Sequence, residues 1–378
     1  MSEFGSSRRI ETRSVHAGRP VERSGAVAPS IHLSTTFERD DSGELRGGFI
    51  YGRSGNPDRV ALETVVADLE GGAECIAFGS GTAAIHSVMY ALSPGDLVLA
   101  PRDAYHGTMH LLSTALARWG LRTRFTDFLD PDDLDDAFAA GPVLALIETP
   151  SNPMLRVTDI AAAAARCRGS GALLAVDNTW MTPALQRPLE HGADLVIHST
   201  TKYFGGHSDV TGGTVVARPG LAITERIRAI QTDTGPVPSP FDAWLLRRGV
   251  KTLPLRIRAQ SAGAAALAGF LAAHPGIEQT FYPGLPDDPG HATQRRQADG
   301  FGAMLSFRVA GGEQGARRFM SRLRLVVRAT SLGAVETLAE HRYAVEGPES
   351  PTPRDLIRMS VGLEHPSDLI ADLEQALA

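Results

Sequence analysis

Lysine occupies only two positions, Lys202 and Lys251, in a chain with 37 basic residues. Chemistry that needs a primary amine therefore has two candidates, and their surroundings differ. Lys251 lies among arginines in RGVKTLPLR and reads as a surface charge on a helix. Lys202 lies in HSTTKYFGGHSDVTGG, residues 198–213, beside Ser199, Thr200 and Thr201. An amine that forms a Schiff base with a phosphate-bearing aldehyde needs phosphate-binding groups nearby, which hydroxyls supply, and it must shed a proton. Gly79–Ala84, GSGTAA, follows the apolar run ECIAF and opens a helical pattern. Backbone N–H groups and the helix dipole at such a junction suit an anionic phosphate. The same residues also match the loose dinucleotide pattern G-x-G-x-x-A, with Asp103 roughly 20 residues downstream, or a plain tight turn. Asp177 ends ALLAVD. A carboxylate closing a buried strand must be paired or hydrogen-bonded, and ligands collect at strand ends in open α/β sheets. It suits either a helix cap or the partner of a cationic ring nitrogen, as in pyridoxal phosphate.

Other chemistries find less support. His106, His198 and His207, with Asp177 or Asp209, invite a metal, but no H-E-x-x-H or cysteine pair accompanies them. The expectation is no metal. A hydrolase nucleophile elbow, G-x-S-x-G, is absent. Cys75 and Cys167 are too few for a disulfide framework and read as core residues.

The elements that must position these groups follow from the apolar pattern. Short runs at 74–78, 96–100, 143–148, 172–177, 194–199 and 213–217 do not alternate, and helical patterns follow several of them. Such strands belong to a largely parallel sheet covered on both faces, an α/β class. Residues 1–50 read as an extended arm, and RVALETVVADLEGG after Pro57 as a helix stopped by Gly71 and Gly72. TGPVPSPFD, 234–242, breaks the pattern and divides a large domain (51–235) from a smaller α+β domain (236–378). Within the latter a single helix is expected over 244–273, a strand at 303–309, and a mobile, polar loop near a site at 341–354.

The 378 residues carry 37 basic against 43 acidic side chains, a formal charge of −6. That balance gives no electrostatic footprint for nucleic acid. No apolar stretch approaches the ~20 residues of a membrane span. The first residues, MSEFGSSRRIETRS, lack the apolar core of a secretory signal, so a cytoplasmic location is expected.

Taken together, SIHLSTTF, YGRSGNP, LEGGAECIAFGSGTAAI, ETPSNP, VDNTWMTPALQRPLEHGADLVIHSTTKYFGGHSDVTGG, ATSLGAVETL and IRMSVGLE resemble the Cys/Met-metabolism group of pyridoxal-phosphate enzymes. That group comprises the cystathionine γ-synthases, γ- and β-lyases, methionine γ-lyases and O-acylhomoserine sulfhydrylases. The resemblance runs almost end to end. It implies the aminotransferase-like fold type I, pyridoxal 5′-phosphate as cofactor, an amino-acid substrate, and a homotetramer built from two active dimers. It also implies roles at matching positions. Lys202 would carry the cofactor and shuttle protons, Asp177 would pair with the pyridinium, and Tyr105 would stack on the ring and serve as an acid or base. Gly81 and Thr82 (backbone N–H) with Ser199 and Thr201 (hydroxyls) would hold the phosphate. Tyr51 and Arg53 would reach it from the neighbouring subunit. Asn152 would contact the ring hydroxyl, and Arg358 with Ser331 the substrate α-carboxylate, with Tyr51 and Asn152 also facing the substrate.

Departures from the group bear on the substrate. The chain reads YHGTM where methionine γ-lyases carry a cysteine. Leu332 stands where enterobacterial β-lyases carry Trp, which favours γ-chemistry. Thr330 replaces a Glu common among γ-synthases and γ-lyases, and HRYAVEGPES replaces the HPA…HA form. The expected activity is γ-elimination from cystathionine or methionine, with γ-replacement on an O-acylhomoserine as the alternative.

Overall fold

The computed structural model describes residues 8–19, 24–347 and 350–378. The large sheet comprises β1 (Glu74–Phe78), β2 (Leu97–Pro101), β3 (Arg122–Thr126), β4 (Leu144–Glu148), β5 (Leu173–Asp177), β6 (Leu195–His198) and β7 (Gly213–Ala217). Their order is β1-β7-β6-β5-β4-β2-β3. Neighbours from β3 to β6 are parallel, whereas β7 is antiparallel to both β6 and β1. The six apolar runs all form strands. RTRFT (β3) has no such run, because it is a polar, partly exposed edge strand.

Successive strand side chains point to opposite faces, and here both faces are buried. Val98, Leu144 and Leu146 join Ile85, Met89 and Ile227 in one core. Leu99, Ala145 and Ile147 join Leu134, Ile160 and Cys167 in the other. That double burial is why the strands read as continuous apolar runs. Cys75 and Cys167 are buried, unpaired thiols.

Helix Pro57–Glu70 starts where the Asn56 side chain accepts from Asp58 N at 2.9 Å, and it ends at Gly71, whose φ of +74° favours glycine. A short helix, Ile10–His16, docks on it through Arg13 and Asp68. Residues 24–56 follow as largely irregular chain that leaves Val27, Leu33 and Ile50 exposed.

The helix expected over 244–273 is two helices, Pro240–Val250 and Leu253–Ala273. Pro254 in the second helix's first turn disfavours helical backbone ahead of it, and Thr252 departs from it with φ −111° and ψ 4°. The first of these packs on helix Pro57–Glu70, the second on the small sheet. That sheet comprises β8 (Ile277–Phe281), β9 (Met304–Val309), β10 (Val327–Arg328), β11 (Leu338–His341) and β12 (Leu356–Ser360), in the order β10-β11-β12-β9-β8. All its pairs are antiparallel except β10–β11. Leu62, Trp180, Tyr203, Leu246, Phe307 and Leu373 share one core that joins the two halves. Among the described residues no helix is long and apolar enough to cross a membrane.

Candidate active site

The C-terminal ends of β4, β5 and β6 face the small sheet across a cavity of about 210 Å³. Gly81, Thr82, Tyr105, Asn152, Asp177, Ser199, Thr201, Lys202, Ser331 and Arg358 all line it. The structure thus brings together every expected site residue except Tyr51 and Arg53. Those two lie together outside the cavity, with the Arg53 guanidinium 5.9 Å from the Tyr51 ring and donating to Thr232 O.

Lys202 sits on the turn after β6, where its N–H donates to Ser199 O at 3.1 Å. Its Nζ donates to Ser331 Oγ at 2.8 Å, which ties the large half to the small one. Burial and the nearby Arg358 charge lower the Lys202 pKa to about 8, so near physiological pH a minority of the amine is neutral, far more than for a lysine in water. Ser331 has φ +106°, a strained conformation for a residue with a side chain. Two positions on, Gly333 (φ +79°) passes so close to the lysine turn that a Cβ would come 2.7 Å from Tyr203 N. Only glycine allows that approach, and the approach puts Ser331 within reach of Lys202.

Opposite, helix Gly81–Tyr90 opens toward the cavity, capped by the Ser80 side chain accepting from Ala83 N at 3.1 Å. A Cβ on Gly81 would lie 2.7 Å from Ser199 Cβ and 2.9 Å from its Oγ. Backbone amides and a hydroxyl therefore converge in a cradle that any side chain would fill, a fit for phosphate. The Thr201 hydroxyl donates to Gly212 O at 3.2 Å and accepts from Gly212 N at 3.0 Å, bracing the loop.

Asp177 ends β5, where an oxygen accepts from Thr179 N at 3.0 Å, and burial raises its pKa. Glu148 ends β4 directly beside it in register. Burial and the Asp177 charge push the Glu148 carboxyl well up, while Tyr105 N donates to it at 2.8 Å. Two carboxyls this close in a buried site favour one retained proton, and the partner charge on Asp177 is what a pyridinium nitrogen requires. A lone aldehyde-reactive amine, a phosphate-sized cradle and this carboxylate converge on one cavity, so the residues fit pyridoxal 5′-phosphate.

On the small-sheet side Arg358, 4% exposed, donates to Asn152 Oδ1 at 3.0 Å, to Glu340 Oε2 at 2.8 Å and to Ser331 O at 3.3 Å. Burial and the neighbouring Arg342 push its pKa down to about 10. Sequence reasoning missed Glu148, Glu340 and Arg342. Glu148 left a signal, since it ends an apolar run as Asp177 does; Arg342 left only a segment-level one, lying in the polar HRYAVEGPES stretch that departs from the family form. The expected loop at 341–354 lies beside the site, but Arg342–Glu346 is a helical turn; residues 348–349 fall outside the described ones.

The cavity adjoins a larger one of about 850 Å³ that shares Lys202, Thr330, Ser331 and Leu332 and adds Asp209, Asp242 and Glu336. The histidines do not converge. His198 is buried with Nε2 2.5 Å from Glu70 Oε1, His207 bonds Gly205 O at 2.8 Å, and His106 stacks near His110. Among the described residues no group of three or more His, Cys, Asp or Glu is placed to hold a metal ion.

The model of a family described as Cys/Met metabolism PLP-dependent enzymes matches residues 11–378. A cystathionine gamma-synthase of Mycobacterium tuberculosis is 46% identical over 373 residues, spanning 97% of this chain and 96% of the relative. A cystathionine gamma-lyase of Bacillus subtilis is 40% identical over 376 residues, spanning 97% and 98%. The solved cystathionine gamma synthase of Xanthomonas oryzae, in complex with aminoacrylate and cysteine, superposes with a TM-score of 0.94 at 42% identity, covering 98% of each chain.

Proposed function

The chain belongs to the Cys/Met-metabolism pyridoxal-phosphate enzymes, and within that family we propose that it is a carbon–sulfur lyase acting by γ-elimination on an L-sulfur amino acid. With cystathionine and water the products are cysteine, 2-oxobutanoate and ammonia. With methionine the thiol is methanethiol. The observation that carries the reading is Lys202, an amine of pKa about 8 held by Ser331 in a cavity that also contains Asp177 and Arg358.

Pyridoxal phosphate, when bound, supplies the electron sink that acidifies the substrate's Cα and then Cβ protons. The chain's own residues do the rest. Arg358 and Ser331 hold the α-carboxylate, for which the guanidinium's planar fork is suited. Asp177 keeps a positive ring nitrogen paired, and the Gly81 amide with Ser199 receives the phosphate. The neutral Lys202 amine takes the Cα proton. Tyr105, which lines the cavity and is partly exposed, gives the departing thiol its proton from its hydroxyl. Leu332 in place of Trp leaves room for a γ-substituent. Thr330 removes one carboxylate that a distal ammonium would meet, and Asp209, Asp242 and Glu336 in the adjoining cavity are the carboxylates that remain. Tyr51 and Arg53 of one chain complete the site of its partner, within a tetramer.

The second reading is γ-replacement, in which an O-acylhomoserine loses its acyl group and cysteine or sulfide adds. The 46% identity to a cystathionine gamma-synthase favours it. Incubating the cofactor-loaded protein with L-cystathionine and identifying the products separates the readings. 2-Oxobutanoate with cysteine supports γ-elimination, and pyruvate with homocysteine means β-elimination. No turnover of cystathionine, with cystathionine formed from an O-acylhomoserine and cysteine, establishes replacement.

A further inference from the structure

Arg342 also lines the cavity, within the HRYAVEGPES segment that departs from the family's HPA…HA form. It opens the helical turn Arg342–Glu346 directly after β11 and is 3% exposed. Glu340, two residues earlier, faces Arg358 across the β11–β12 register. One oxygen of Glu340, Oε2, accepts from Arg358 Nη2 at 2.8 Å and from Arg342 Nη1 at 2.5 Å. Arg342 Nη2 in turn donates to Glu346, which also accepts from Thr352 Oγ1 at 2.6 Å and from the Ser350 hydroxyl. Arg358, Glu340, Arg342 and Glu346 thus form one buried alternating row, each side chain 4–6% exposed.

The row poses a charge problem that Arg342 answers. Arg358 is the group that receives the substrate carboxylate, yet Glu340 already occupies one of its nitrogens. Two carboxylates on one buried guanidinium repel each other strongly. With Arg342 present the row sums to zero, and the substrate carboxylate meets an arginine whose glutamate partner is neutralised from behind. Without Arg342 the row carries −1 where another −1 must enter.

We propose that Arg342 is a positioning residue for the substrate carboxylate: it shares Glu340 with Arg358 and so leaves Arg358 able to bind, while Glu346 opposes that effect. The proposal rests on reading the cavity as an amino-acid site, but not on whether elimination or replacement follows.

The test titrates the cofactor-loaded protein with L-alanine and with ethylamine, the same molecule without its carboxylate, following the cofactor's absorption. Neither probe has a leaving group, so binding is read without turnover. Arg342→Met should raise the L-alanine Kd between about 10- and 100-fold and move the ethylamine Kd less than about twofold. Adding Glu340→Gln to Arg342→Met should return the L-alanine Kd to within about threefold of the parent, because the unpaired charge is gone. Glu346→Gln alone should lower it. An unchanged L-alanine Kd in Arg342→Met, an equal loss for ethylamine, or no recovery in the double variant overturns the proposal. Should Arg342→Met fail to fold, an L-alanine Kd that Glu346→Gln leaves unchanged or raises overturns it as well. A parent protein whose absorption responds to neither probe sinks the amino-acid-site reading instead.

Discussion

The wall of the cavity built by the large sheet carries its groups on turns, whereas the wall built by the small sheet carries them on strands. Gly81, Asp177, Ser199 and Lys202 each end a strand or follow it within four residues, so short local segments aim them. Glu340 and Arg358 are instead opposed across β11 and β12, and Ser331 reaches Lys202 only through the strained turn before Gly333. The first wall holds a single buried carboxyl pair, Asp177 beside Glu148 in register. The second packs four charged side chains into one buried row. A change on the turn wall should therefore remove one function cleanly. On the strand wall it should unbalance neighbours, because a buried charge left without its partner costs about 3–5 kcal/mol.

The sharpest way to break that contrast is Lys202→Ala. It removes the amine and the base together, and turnover of L-cystathionine should fall by more than about 10⁴-fold; substantial residual formation of 2-oxo acid would refute the assignment of the site. Arg358→Leu should raise KM about 100-fold or more while the bound cofactor keeps its absorption. An equal loss of cofactor would mean that the two walls do not divide the work. A pH series tests Lys202 itself. Its folded pKa of about 8 lies below the ordinary lysine value of 10.5, so the unfolded chain binds more protons between those values. The lysine's unfavourable contribution to apoprotein stability should accordingly fade as pH rises through that window. Cofactor capture by the apoprotein should gain roughly tenfold per unit up to about pH 8 and then level. Capture that climbs steadily toward pH 10.5 would place Lys202 in water. The smallest effect is expected for Ser331→Ala, which deletes one hydrogen bond and should slow turnover roughly fivefold, about 1 kcal/mol. A loss of 100-fold would show that Ser331 does more than steady the lysine and help seat the α-carboxylate.

The same contrast explains what could be read before any fold was known. The strands of the large sheet were legible because burial on both faces leaves unbroken apolar runs, as at LALIE and GTVVA. β3 was not, since an edge strand needs no such run. β10, β11 and β12 are short and include buried charges such as Glu340 and Arg358, which hide them from a search for apolar periodicity. The break between the helices ending at Val250 and starting at Leu253 had a signal in Pro254, masked by the apolar and arginine pattern that runs through it.

The sequence by itself determined the chemistry: two lysines, only one of them among hydroxyls and glycines, a carboxylate closing an apolar strand, and motifs that name the family. Those features are local, and a turn of five residues holds the same groups in whatever context it folds. Only the tertiary structure decided the charge row behind Arg358, the pairing of Glu148 with Asp177, and the contact of Ser331 with Lys202. Each joins residues 18 to 129 positions apart or depends on strand register, and register is set by packing across the whole sheet rather than by the residues it brings together.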